Sequence, residues 1–331
     1  QRRLGKNVMG FRAVEDNLSD GAVYQVTRDP DGAMRFLHLS ASVEKLSGIP
    51  AKAAMQDASL IYSRIHEDDL ASLDAGTIAS ERNQTVFRSV VRYRMADGGM
   101  RWMQIASTPR LQKDGRTIWD GVMMDVTERK LAAERLERVN ACLLSLGPDF
   151  AANVDRLTAL CGELLGAACA LYNKLDGGLL CSLGQWRPPE GYQSKDKPDG
   201  HICYDVIRGG SDEVLVVRNL EATAYAASDP NVSKYGLKTY LGHVIRRAGK
   251  PVGSLCVVYQ EDFEPSRDDK HILSLIASAL SVEEGGLEAE NALRESEERL
   301  RLAAEAAEFG AYSFDFEGSR PFYSAELIKL Y

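Results

Sequence analysis

The 331-residue sequence predicts an α+β chain of tandem domains, each an antiparallel sheet with flanking helices, joined by long amphipathic linker helices. Three observations carry this expectation. Residues 11–126 run as two strand patterns, several short helix patterns and three more strand patterns. Residues 148–282 hold a second mixed unit built on hairpins. After each unit comes a charged, Ala/Leu-rich helix pattern, at 129–147 and 285–308.

In the first unit AVYQVTR (22–28) is a strand rich in Val and Tyr. DPDG (29–32) supplies a turn, and MRFLHLS (34–40) closes a hairpin. EDDLASLDAGTIASER (67–82) opens on three acids, which suit the positive end of a helix dipole. Leu70, Leu73 and Ile78 are expected on its buried face. TVFRSVVRYRM (85–95), MRWMQIASTP (100–109) and TIWDGVMMD (117–125) form a meander punctuated by ADGG and QKDG. One five-stranded sheet with helices over one face is the economical packing.

GVMMDVTERKLAAERL (121–136) passes from strand to helix with no Gly or Pro between them. Asp125 is the expected N-cap, Glu128 completes a capping box, and Thr127 is the alternative cap. Ala132, Leu136, Val139, Leu143 and Leu146 recur at alternating steps of four and three residues. That a/d seam predicts a parallel homodimer through the linker helices; packing against the helix's own domain is the competing reading. The stiff joint is expected to couple more tightly than the second linker, where Gly285 and Gly286 weaken the helix.

The second unit opens with DRLTALCGELLG (155–166), a helix closed by Gly166. ACALYNKL (168–175) and LLCSLGQW (179–186) flank a DGG turn. CYDVIRGG (203–210) is a short helix, EVLVVRNL (213–220) a strand, and KTYLGHVIRRAGKPVGSLCVVYQ (238–260) two strands about AGKP. DDKHILSLIASALSVEE (268–284) is the terminal helix. Beyond it, a seam through Ala289, Leu293, Ser296, Leu300, Ala303 and Ala307 is thin in large apolar residues. Residues 303–331 repeat the order of 14–48, so a further domain is expected to begin there and to be truncated.

The net charge of −8 gives no global attraction to nucleic acid or anionic membrane. No apolar run approaches the ~18 residues of a membrane span. Six cysteines without a C-x-x-C pair read as reduced, buried thiols, which favours the cytoplasm. No Ser-His-Asp order, metal cluster or Walker loop stands out, so no catalytic residue and no metal site is expected.

YSRIHEDDLASL (62–73), RYRMADGGMRWM (92–103) and GVMMDVTERK (121–130) together resemble a PAS domain with its C-terminal PAC portion, Asp125 and Thr127 matching the closing Asp-x-Thr. GHICYDVIRGG (200–210) and YGLKTYLGHVIRRAGKPVGSLCVVY (235–259) resemble a GAF domain. The expected organisation is an N-terminal linker (1–10), a PAS/PAC domain (11–126), a signalling helix (127–147), a GAF domain (148–282), a linker helix (283–304) and the start of a second PAS domain (305–331). The resemblance implies a non-catalytic, cytoplasmic sensory region of a two-component or cyclic-di-GMP signalling protein. A histidine kinase, diguanylate cyclase or phosphodiesterase output would lie elsewhere. It also implies that Asp125, Thr127 and Glu128 couple sheet to helix.

Candidate small-molecule ligand residues are Trp102, Trp119, His201, Cys203 and Tyr240. The cofactor stays open. Haem and flavin are the two the resemblance raises, with His38, His66, His201 and His243 as the axial histidines to weigh. Residues 11–128 contain no Cys, which excludes cysteinyl-flavin photochemistry there. C-Y-D at 203–205 departs from the Cys-His of bilin-binding relatives. Asn173-Lys174 reads as a strand end rather than as part of a cyclic-nucleotide motif. Two rival readings are a thiol-dependent GAF enzyme, such as a free methionine sulfoxide reductase relying on Cys203, and a purely structural dimerisation spacer. Cys169, Cys181, Cys203 and Cys256 look too dispersed for the enzyme.

Overall fold

Period-two alternation builds the first sheet. In β1 (Gly21–Arg28), Ala22, Tyr24 and Val26 turn inward. β1 pairs with β2 (Met34–Leu39) and β5 (Thr117–Asp125), and β4 (Met100–Leu111) lies between β5 and β3 (Phe87–Arg94). The five strands run β2-β1-β5-β4-β3, all neighbours antiparallel. The computed structural model describes residues 20–29, 32–306, 312–315, 320–323 and 328, and it divides into units at Glu134 and Arg135.

Four helices follow β2: α1 (Val43–Ser47), α2 (Ala51–Gln56), α3 (Ser59–Tyr62) and α4 (Glu67–Asn83). His66 caps α4, its Nδ1 accepting the Asp68 N–H at 3.3 Å. Asp69 accepts the Arg92 backbone N–H and its guanidinium, both at 2.7 Å, which ties α4 to β3. The Arg92 hydrogen bond holds the Asp69 carboxyl below its usual range. The expected apolar face of α4 is corrected here. Only Leu73 is buried, while Leu70 and Ile78 are exposed. The helix packs instead through small residues: Gly76 lies under the Phe87 ring, and buried Ser80 accepts the Trp119 indole N–H at 3.1 Å.

α5 (Thr127–Leu144) starts two residues earlier than its sequence pattern and ends three sooner. Asn153 holds the turn that stops it, accepting from Gly147 N–H and donating to the Gly147 carbonyl. Asp149 then caps α6 (Phe150–Leu164).

The second sheet orders β6 (Cys169–Asp176), β7 (Leu179–Trp186), β8 (Lys195–Asp196), β9 (Leu215–Val217), β10 (Thr239–Arg247) and β11 (Lys250–Tyr259) as β8-β7-β6-β11-β10-β9. Its paired neighbours are antiparallel. α6 and α10 (Arg267–Ala306) share an apolar core with one face of this sheet. On the other face lie α7 (Ile202–Gly209), α8 (Tyr225–Ser228) and α9 (Pro230–Tyr235), with a separate core. The strand expected over 213–220 shrinks to three residues, because the chain turns into a 3₁₀ turn at Leu220–Ala222.

α10 continues through Gly285 and Gly286 as one 40-residue helix. Most of 305–331 lies outside the described residues, Ala307 of the second seam included. Within that span β12 (Tyr312–Asp315) and β13 (Arg320–Tyr323) pair antiparallel. Among the described residues no helix is long and apolar enough to cross a membrane.

Gly162 is held by packing rather than by backbone freedom. A Cβ there would stand 2.1 Å from the Trp186 ring. Helix propensity favours Ala over Gly by about 1 kcal/mol, whereas overpacking costs about 1–3 kcal/mol. Gly162→Ala is therefore expected to lower the melting temperature of the second unit; an unchanged or higher value in a thermal melt would contradict the packing argument.

Candidate functional site

The first unit encloses a cavity of about 240 Å³ lined by Tyr24, Phe36, Tyr62, Met103 and Trp119, among others. Trp119 thus reaches a cavity wall. Trp102 does not: it is half-buried beside the β5–α5 joint, with the Lys130 ammonium 5.5 Å from its ring centroid. His38 and His66 are also absent from the lining, which holds no imidazole or thiolate for a haem iron.

The joint itself is a closed polar set. Asp125 Oδ1 accepts from Thr127 N–H at 2.9 Å and from the Thr127 hydroxyl at 2.5 Å. The same hydroxyl oxygen accepts the Trp102 N–H at 2.9 Å, and Val126 N–H donates to the Trp102 carbonyl at 2.8 Å. Arg101 reaches Asp125 Oδ2 at 3.1 Å. β4 therefore grips the first residues of α5 directly. The expected capping box is half corrected. Glu128 is exposed, and the Asp125 N–H donates to the Asp20 carbonyl at 3.0 Å instead.

The seam on α5 is also divided. Val139 is 2% exposed and belongs to the core of the second unit, and Leu146 packs partly buried against it. Leu136 and Leu143 are exposed, and Ala132 is half-buried. A four-three repeat marks an apolar stripe but not its owner; here part of the stripe packs within the chain.

In the second unit a cavity of about 390 Å³ gathers His201, Cys203 and Tyr240 on one wall. Gly200, at φ +90°, lets the chain pass close to the Ser228 carbonyl, where a Cβ would stand 2.4 Å away. This sets His201 at the start of α7. His201 Nδ1 and Nε2 lie 3.3 Å from Asp229 and Asp196 respectively. Hydrogen bonding to Asp229, reinforced by Asp196, raises its pKa to about 8 against the opposing effect of burial. Both ring nitrogens being engaged, His201 offers no free lone pair to an iron. His243 lies off the lining, its nitrogens held against the Val244 and Asp212 carbonyls. Asp229 also accepts from Ile202 N–H and caps α9. Sequence reasoning passed over Asp229, although Asp before Pro is a legible helix start.

Two further wall residues change the sequence reading. Asn173 is buried within β6, not at a strand end. Its Oδ1 accepts from Ser182, which pairs with Tyr192, so its amide N–H groups face the sulfurs of Cys203 at 3.1 Å and Cys256 at 3.7 Å. Cys203 and Cys256, dispersed along the chain, stand with sulfurs 3.6 Å apart. The Tyr240 hydroxyl lies 3.5 Å from Cys203 Sγ.

On β6 the neighbours of Asn173 face the other way. Tyr172 OH donates to Glu284 Oε1 at 2.6 Å, and Lys174 Nζ lies 2.6 Å from Glu284 Oε2. Glu284, on α10, is fully buried.

Residues 36–123 match the PAS fold family and residues 149–283 the GAF domain family. No curated protein sequence matches the chain. Similar solved structures include the chromophore-binding domain of a bacteriophytochrome from R. palustris, at 14% identity and TM-score 0.42, covering 82% of this chain and 94% of that one. The chromophore-binding domain of a Stigmatella aurantiaca phytochrome matches at 12% identity and TM-score 0.37, covering 80% and 93%. Free methionine-R-sulfoxide reductase from Neisseria meningitidis matches at 15% identity and TM-score 0.40, covering 48% and 91%.

A raised His201 pKa means that its ion pairs are fully present below the ordinary imidazole value of about 6.5 and lost as pH rises through about 8. The melting temperature of the second unit is expected to fall between those values, and to fall less in His201→Gln. Equal pH dependence in the two proteins would refute the assignment.

Proposed function

We propose that this chain, a PAS fold followed by a GAF domain, is the non-catalytic sensory input region of a signal-transduction protein. It would work as a parallel homodimer and pass a ligand-dependent change along its helices to a histidine-kinase or cyclic-di-GMP output. The cytoplasmic setting expected from its thiols belongs to the same reading.

One observation carries the proposal. Asn173 faces the GAF cavity while Tyr172 and Lys174, one residue to either side on β6, hold Glu284 of α10. A molecule that hydrogen-bonds Asn173 displaces the same strand that anchors the helix. Population shift needs only such a differential contact between two states. The cavity suits a small, partly polar ligand. The Tyr235 hydroxyl is buried on its wall and has no hydrogen-bond partner among the described residues, which leaves a donor for such a molecule. A mostly apolar cavity with convergent polar groups of this kind also favours sensing over a plain spacer.

In the PAS unit the grip of β4 on Thr127 plays the equivalent part. The exposed Leu136 and Leu143 of α5 remain for the homodimer contact.

Three measurements test this reading. Glu284→Ala strands Lys174 at a largely buried site and is expected to destabilise the second unit by about 3–5 kcal/mol. Asn173→Leu is expected to change amide exchange over 284–300; identical protection in the parent and variant would break the link between cavity and helix. In sedimentation, Leu136→Lys should weaken self-association without loss of stability. Val139→Ala should instead cost about 2 kcal/mol of stability and leave association unchanged. A parent chain that stays monomeric at high micromolar concentration would remove the dimer.

A further inference from the structure

We propose that Cys203 and Cys256 form a peroxide-reactive dithiol on the wall of the GAF cavity, closing to an intramolecular disulfide. This goes beyond the sensory reading and stands without it, since it requires neither a dimer nor a relay.

The geometry is that of a nucleophile with a resolving partner beside it. The two sulfurs are 3.6 Å apart, one at the N-terminal end of α7 and one in the middle of β11. Both residues line the cavity of about 390 Å³, which is ample for hydrogen peroxide. Hydrogen-bond donors converge on Cys203: the Asn173 amide at 3.1 Å and the Tyr240 hydroxyl at 3.5 Å. The Asn173 amide cannot turn away without losing its bond from Ser182. Donors aimed at sulfur stabilise a thiolate, the form that reacts. The hydrogen bond from Cys256, with that from Tyr240, draws the Cys203 thiol below its ordinary value despite burial, and the Cys256 thiol goes up. Burial, with a smaller contribution from the charge of Cys203, pushes the neighbouring Cys169 up to about 12.

The chemistry balances with peroxide as the oxidant. Cys203 thiolate attacks one peroxide oxygen, the O–O bond breaks, and the departing hydroxide takes up the proton released from Cys203 to leave as water. Cys203 is then a sulfenic acid. Cys256 sulfur attacks Cys203 sulfur, the S–O bond breaks, and hydroxide leaves with the Cys256 proton as a second water. Two thiols are oxidised and one peroxide is reduced to two waters. Closing the sulfurs to about 2.05 Å needs a movement of about 1.5 Å, which draws the start of α7 toward β11.

The test treats the reduced 331-residue chain with hydrogen peroxide, blocks the remaining thiols by alkylation and maps peptides without reduction. A linked pair containing Cys203 and Cys256, two hydrogens lighter than the thiols and released by dithiothreitol, is expected. In Cys256→Ser a sulfenic acid should accumulate on Cys203 and be trapped by a 1,3-dicarbonyl reagent; in Cys203→Ser none should appear on Cys256. The proposal falls if Cys142, the half-buried thiol outside the cavity, oxidises while Cys203 and Cys256 stay reduced. It also falls if Cys256 is trapped equally well without Cys203. Should a variant not fold, the map of the parent chain decides alone.

Discussion

A strand has two faces and one backbone, and the second unit depends on that constraint at β6. Successive side chains must point to opposite sides of the sheet. Placing Asn173 in the cavity therefore commits Tyr172 and Lys174 to the helix side, where Glu284 waits without solvent. A buried carboxylate survives only when its hydrogen-bonding capacity is filled. Lys174 and Tyr172 fill it, so neither the strand nor the helix can shift alone without leaving charge unpaired. The pairing of β6 with β7 shifts register between Tyr172 and Asn173, a local irregularity beside the cavity wall.

The first unit solves a similar problem where its last strand becomes a helix, around an Asp125 carboxylate paired with Arg101. A strand that becomes a helix must satisfy backbone donors that neither ladder covers. Asp125, Thr127 and the two backbone groups of Trp102 do so over three residues. No Gly or Pro interrupts the passage. The hydrogen bonds from β4 give it a definite direction.

Much of the fold is legible in the sequence because its signals are local. The strand over 117–125, the cap at Asp125 and the short helix stopped at Gly210 follow from period, side-chain chemistry and glycine. What escapes is decided by distant neighbours. Cys203 and Cys256 meet only because α7 lies across β11, which no spacing along the chain encodes. Val139 and Leu136 share one repeat, yet one lies in the core and the other in solvent. The pattern records that a surface is apolar and is silent on what covers it. Trp102 fails as a cavity residue for the same reason: an aromatic on a two-faced strand has even odds of either side until the sheet is assembled.

Glu284 sits near the middle of α10, and the helix runs on to Ala306 without a break at the glycine pair. At 1.5 Å per residue the portion beyond Glu284 is about 33 Å long, tied near its root by the Arg247–Glu288 ion pair at 3.6 Å. A tilt of about 5° at its root would carry the far end sideways by about 3 Å, over half the 5.4 Å pitch of the helix. In the dimer proposed above, that mechanical advantage would let a small adjustment at β6 change how two such helices mesh, with little change in the fold of either domain.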